Sequence, residues 1–322
     1  HDMVKLFRRI LDSVAPHVVL ITETNVPHEE NVQYFGNGRD ESHMVYNFTL
    51  PPLLLHALSA GKAQVLAEWI QTLSTPSPAT TFLNFTASHD GIGARPLEGV
   101  LSPTEINRLV ERVRRNGGYI SNRRRSDGSE SPYEFNITYL DALKDPGSDN
   151  DAFHSARFLA SQAVALALPG VPAVYIHSLI GSRNWLAGVQ QTGRTRAINR
   201  EILSADAVAA ELADPQSIRA RIFQPYRNMV RVRTGQPAFD PASGTRVHLL
   251  DDRVLTIERF CNDQILYALT NLSADKLTLT LPKKEAGQSL NDLISGQRFN
   301  ADSINMSPYE VLWLEAGQSP TV

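Results

Sequence analysis

The chain has 322 residues, 42% hydrophobic and 20% charged, with a formal net charge of −3 and one cysteine, Cys261. That length allows one large core and a smaller one, and the charge gives no electrostatic basis for binding nucleic acid or an anionic membrane. A single cysteine excludes a disulfide within the chain and fits a cytoplasmic location; no apolar run approaches the ~18 residues of a spanning helix.

Met3, Leu6, Phe7, Ile10, Leu11 and Val14 recur at helical spacing, and Pro16 stops the helix. Val18 to Ile21 is an apolar, β-branched run expected to form a buried strand. It runs straight into Glu23-Thr24-Asn25. Met44 to Leu50 reads as a second strand closed by Pro51-Pro52, followed by helix over 53–73 interrupted near Gly61. Thr81 to Phe85 is a third strand that ends in Ser88-His89-Asp90-Gly91.

Residues 91–146 break this rhythm. They hold one clear helix, Ser102 to Arg115, with Ser102 and Glu105 at capping-box spacing. The basic run Arg123 to Arg125 reads as polar loop. A helix over 153–168 and a strand over 171–176 resume the alternation, then 177–200 reads as Gly- and Arg-rich loop. Ile218 to Val232 is a last amphipathic helix. Beyond residue 235, short alternating segments at 246–250, 254–259, 264–272, 276–282 and 310–315 indicate an all-β region. The front portion therefore contains four strand–helix rounds, either half of an eight-stranded barrel or a smaller doubly wound sheet.

Carboxylates just past parallel strands stand where barrel enzymes keep their chemistry. Glu23, at the end of a buried strand, is expected to be partly desolvated, which raises a carboxyl pKa. Glu23 and Asp90 lie two strands apart, the pattern wanted for glycosyl transfer through an oxocarbenium-like transition state. The alternatives are a strand-end Glu paired with an arginine, a turn-capping Asp90 and a structural His89. Arg194, Arg196 and Arg200 of GRTRAINRE suit a phosphate or a sugar, or a solvated loop tied to acids. Gly91-Ile92-Gly93 lacks the third glycine of a dinucleotide fingerprint, and His28-Glu29-Glu30-Asn31 lacks the second histidine of a zinc helix. No metal site or cofactor is expected.

ITETNVPH, FLNFTASHDGIG, GVPAVYIHSLIGSRN and GRTRAINRE, in this order, resemble the sucrose-phosphorylase branch of the α-amylase superfamily over nearly the whole chain. The resemblance implies a retaining enzyme with Glu23 as general acid/base and Asp90 as transition-state stabiliser. It also implies His89 on the sugar, and Arg196 and Arg200 on the glucosyl or phosphate group. That branch carries its nucleophile in an upstream Arg-x-Asp-Ala segment. The nearest string here, Arg125-Ser126-Asp127-Gly128, stands after the third strand.

The resemblance thus implies the carboxyl-terminal portion of such an enzyme, catalytically silent alone, with its nucleophile upstream of His1. Residues 1–234 would be strands five to eight of a (β/α)8 TIM barrel, with an inserted subdomain at about 91–146. Residues 235–322 would be a small β-rich domain. The implied activity is phosphorolysis of an α-glucoside, with inorganic phosphate as co-substrate. A hydrolase of the same superfamily and a non-catalytic carbohydrate-binding chain are the rivals. Glu23-Thr24-Asn25 and Tyr133-Glu134 stand where typical sucrose phosphorylases carry Glu-Val-His and Tyr-Gln, so Asn25, Tyr133 and Glu134 would face the acceptor. SLIGSRNWLAGV, Ser178 to Val189, is more similar to the glucosylglycerate phosphorylases of the branch.

Overall fold

A computed structural model describes residues 1–148, 151–261 and 264–316. Helix α1 (Asp2–Val14) forms on the expected periodicity. Its polar side meets the following loop: Lys5 Nζ lies 3.3 Å from Asp40 Oδ2, and Arg8 donates to the Glu41 carbonyl at 3.0 Å. Its apolar side is exposed, at 60% for Met3 and 48% for Phe7.

The strand after it is shorter than the sequence suggests. Only β1 (Ile21–Thr22) joins a ladder, pairing parallel with β2 (Met44–Tyr46), while Val18 and Val19 are exposed. The expectation of a buried strand over 18–21 fails for a positional reason: β1 is the edge of its sheet, with a neighbour on one side. Helix α2 (His28–Asn31) lies between these strands.

Pro51 and Pro52 do not close β2; they open helix α3 (Leu50–Ala60). First-turn amides have no partner within a helix, so proline loses nothing there. Gly61 ends α3 in the left-handed conformation, φ +65°. Helix α4 (Gln64–Gln71) and strand β3 (Thr81–Asn84) follow.

Between 92 and 142 a small antiparallel sheet forms from β4 (Ile92–Gly93), β5 (Tyr119–Arg124) and β6 (Glu130–Asn136), in the order β4-β6-β5. Helix α5 (Pro103–Arg115) packs against β5 and β6 and carries the full Ser102–Glu105 capping box, and the short helix α6 (Tyr139–Ala142) follows β6. The basic run read as loop is therefore strand. Its polarity reflects an exposed hairpin, and Arg123 donates to both Glu98 oxygens at 2.9 Å.

Helix α7 (His154–Ala167) is almost wholly buried and leads into β7 (Val171–Pro172). The parallel sheet runs β1-β2-β3-β7, so the four rounds build one continuous half-barrel wall. The stretch expected to be loop holds α8 (Ile176–Leu179) and α9 (Leu186–Thr192); α10 (Ala205–Ala213) and α11 (Ile218–Thr234) follow.

Strands β8 (Gly244–Asp251), β9 (Val254–Cys261), β10 (Gln264–Asn271), β11 (Leu277–Leu279), β12 (Ser289–Asp292), β13 (Arg298–Asn300), β14 (Ile304–Met306) and β15 (Val311–Ala316) complete the chain. Six make an antiparallel sheet, β13-β12-β15-β10-β9-β8, and β11 pairs with β14. Successive residues of a strand face opposite sides. Leu255, Ile257, Leu266 and Ala268 join the core of α3, α7 and α11, while Val254, Tyr267 and Leu269 build a second core within the β region. Each such fully buried aliphatic side chain stabilises by roughly 1.5–3 kcal/mol. The sheet thereby braces the helices behind the site.

Candidate active site

Amide side chains tie the carboxyl ends of β1, β2 and β3 to one another and to the residues that lead into β7. Buried Asn47 donates to Asn84 Oδ1 at 2.9 Å, and Asn84 donates to the Pro169 carbonyl at 2.9 Å. Thr86 Oγ1 and Tyr226 Oη both donate to Gln162 Oε1 at 2.9 Å, which ties the end of β3 to α7 and α11. On the β1 side, Thr24 donates to buried Asn31, whose Nδ2 donates to the Tyr46 carbonyl at 2.7 Å. Strand-end residues on this rim therefore sit on fixed backbone.

Asp90 stands past β3, where Arg196 Nη1 and Arg200 Nη2 both reach its Oδ1 at 2.9 Å. Arg200 Nε also donates to the His89 carbonyl at 2.7 Å, and Asn199 Nδ2 to the Asp90 carbonyl at 3.1 Å. His89 Nε2 lies 3.6 Å from Asp90 Oδ1, with its ring largely exposed. The other edge of Arg196 grips Glu134: Nε reaches Oε1 at 3.0 Å and Nη2 reaches Oε2 at 2.6 Å. This two-point geometry suits a planar guanidinium. Glu134 is buried, so the pairing is what makes its burial tolerable. The hydrogen bonds that Arg196 donates to Glu134, then the charges of Glu134 and Asp90, push the Arg196 pKa further above its ordinary value. Two arginines and two carboxylates make this group neutral as a unit.

Asn25 reaches the same place from β1, donating to the Tyr133 carbonyl at 3.3 Å. Its Oδ1 is buried with no hydrogen-bond partner among the described residues. Four separated stretches, around 25, 90, 134 and 196, thus converge. The structure departs from expectation at Glu23, which is exposed rather than desolvated. An edge strand offers it a wall on one side only.

Sequence reasoning passed over Tyr46, Tyr175 and Asn199. Burial first, and the charge of Glu23 second, push the Tyr46 phenol up. Its ring and those of Phe48 and Phe85 lie 5.2–5.9 Å apart and form an aromatic floor. Tyr175 Oη donates to the Asn199 carbonyl at 2.7 Å, and its phenol is pushed up by burial and secondarily by Asp90. Tyr46 and Tyr175 lie within three residues of a parallel strand's last position, a signal present in the sequence. Arg194 is exposed and makes no ion pair among the described residues. Those residues contain no group of three His, Cys, Asp or Glu able to hold a metal, and no helix long and apolar enough to cross a membrane.

A parallel half-barrel with strand-end carboxylates, followed by an antiparallel sheet, is the architecture of α-amylase-type barrel enzymes. Sucrose 6F-phosphate phosphorylase from Thermoanaerobacter thermosaccharolyticum superposes with a TM-score of 0.70 at 19% identity, over 95% of this chain and 56% of that one. No family profile matches. Glucosylglycerate phosphorylase of Escherichia coli is 40% identical over 316 residues, covering 98% of this chain and 56% of that protein. Sucrose phosphorylase of Agrobacterium vitis is 31% identical over 249 residues, covering 73% of this chain and 46% of that protein. The chain belongs to the sucrose-phosphorylase branch of the α-amylase superfamily and spans about half the length of the curated relatives it matches.

Proposed function

We propose that this chain carries the acid/base and acceptor side of a retaining α-glucoside phosphorylase. The observation that supports this most is Asp90, fixed by Arg196 and Arg200, with Arg196 shared by buried Glu134. Retaining transfer needs an acid, a nucleophile on the opposite face and stabilisation of positive charge at the anomeric carbon. In this reading Glu23 protonates the leaving oxygen, and Asp90 stabilises the developing charge. The nucleophile comes from the part of the relatives that this chain does not span. Phosphate then displaces the enzyme carboxylate from the glucosyl ester and yields α-glucose 1-phosphate.

Glycerate is the acceptor we favour. The two places that depart from the typical sucrose-phosphorylase pattern, Asn25 and Tyr133-Glu134, touch each other. They act as one surface, and the neutral arginine–carboxylate group behind them presents no net repulsion to an anionic acceptor. His89 would bind the sugar. The arginines touch acids first, so their role with phosphate is secondary to holding Asp90. The test uses the full-length protein with glucosylglycerate, following α-glucose 1-phosphate against added phosphate. Free glucose released independently of phosphate would establish the hydrolase instead.

A further inference from the structure

Gly91 and Gly93 flank Ile92 on the strand that pairs with the Glu134 hairpin, Ile92 opposite Phe135 and Gly93 opposite Glu134. Neither glycine adopts a positive φ, so backbone conformation does not call for glycine at either place. Space does. A Cβ on Gly93 would lie 2.6 Å from Asn25 Oδ1, 3.0 Å from its Cγ and 3.2 Å from its Nδ2. A Cβ on Gly91 would lie 2.6 Å from Glu134 Cγ and 2.6 Å from the Phe135 carbonyl oxygen.

Resting on the phosphorylase reading, we propose that Gly91 and Gly93 are positioning residues that set acceptor specificity. Each gives one acceptor-side side chain a flat seat: Gly91 beneath Glu134, Gly93 beneath Asn25. The two positions differ in what a side chain would disturb. At Gly91 a methyl group strikes backbone, so the small sheet itself must shift. At Gly93 the three nearest atoms all belong to the Asn25 side chain, so a methyl group meets that amide rather than backbone. Gly93→Ala therefore spares the fold and moves Asn25.

The experiment uses the full-length enzyme, with α-glucose 1-phosphate as donor and glycerate, fructose or water as acceptor. In Gly93→Ala, kcat/KM for the preferred acceptor is expected to fall about ten- to hundredfold, with transfer to water within about twofold, as for a side chain displaced by about 1 Å. In the Asn25→Ala background, adding Gly93→Ala should change nothing further, because the clashing amide is gone. Equal losses with water and with acceptor, or additive effects in the double variant, overturn the inference and leave the phosphorylase reading standing. If wild type transfers to neither glycerate nor fructose, that reading falls and the inference falls with it. If Gly93→Ala alone yields no folded enzyme, the double variant decides. Matching Asn25→Ala in melting temperature and activity supports the seat, and failing to fold overturns it.

Discussion

Helices α1 and α7 have almost the same length, 13 and 14 residues, and stand before the first and last strands of the same parallel sheet. Helix α1 has a clean apolar stripe opposite a charged face and buries no residue. Helix α7 is alanine-rich, carries Arg157, Ser161 and Gln162, and buries all three with most of its length. Amphipathic periodicity thus states that a face suits a partner; position in the topology decides whether that partner is present. The carboxylates beneath repeat the contrast. Glu23 on the α1 side is exposed, whereas Asp90 on the α7 side is held by two arginines.

Stability should show the contrast most strongly. Phe158 is fully buried in α7, so Phe158→Ala is expected to cost about 3–5 kcal/mol by urea denaturation. Leu6, half-exposed on α1, should cost less than about 0.5 kcal/mol as Leu6→Ala in the 322-residue chain. A comparable loss at Leu6 breaks the contrast. Repeating Leu6→Ala in a chain as long as the relatives sharpens it, because the stripe should then matter.

The two carboxylates should also differ in kind. Asp90→Asn in the full-length enzyme is expected to lower kcat about 10³-fold for every donor, as loss of preorganised charge stabilisation. Glu23→Gln is expected to lower it about 10²-fold on a native glucoside and hardly at all on a donor whose leaving group needs no proton. Equal losses on both donors for Glu23→Gln would remove it from the acid role. Arg196→Lys keeps the charge but not the two-point grip on Glu134. It should lower kcat about tenfold, the worth of one charge-assisted hydrogen bond, and leave the phosphate KM unmoved. A change confined to the phosphate KM would put Arg196 on phosphate instead.

What could be read from the sequence follows local physics. The four parallel strands, the Ser102–Glu105 box and the alternation in β9 and β10 each arise from neighbours in the chain. The β5–β6 hairpin escaped because an exposed strand such as Tyr119–Arg124 has no apolar alternation to show. Strands of three or four residues at 289–306 are too short to carry a period. The Arg196–Glu134 pair joins positions 62 residues apart and leaves no local trace. The exposure of Glu23 depends on what stands beyond an edge strand, which its own flanking residues do not encode.

Two histidines, one from each region, carry the comparison into pH dependence. His28 follows β1 and lies between the Phe82 and Trp69 rings, each centroid 6.0 Å away. His154 opens α7, 6% exposed, with Nε2 2.7 Å from the Leu140 carbonyl oxygen. Burial lowers both imidazole pKa values below the ordinary one. Both are therefore neutral in the folded chain at pH values where the unfolded chain, near 6.5, has begun to take up protons. Below that pH the unfolded state binds more protons, so stability is full above about 6.5 and falls with acidification, by at most ~1.4 kcal/mol per pH unit for each group. His154→Gln and His28→Phe should each flatten the acid limb of stability against pH. An NMR titration places the comparison on the folded protein directly. The His154 ring should titrate below 6.5, and a midpoint at or above that value would show that burial at the start of α7 does not hold the ring neutral.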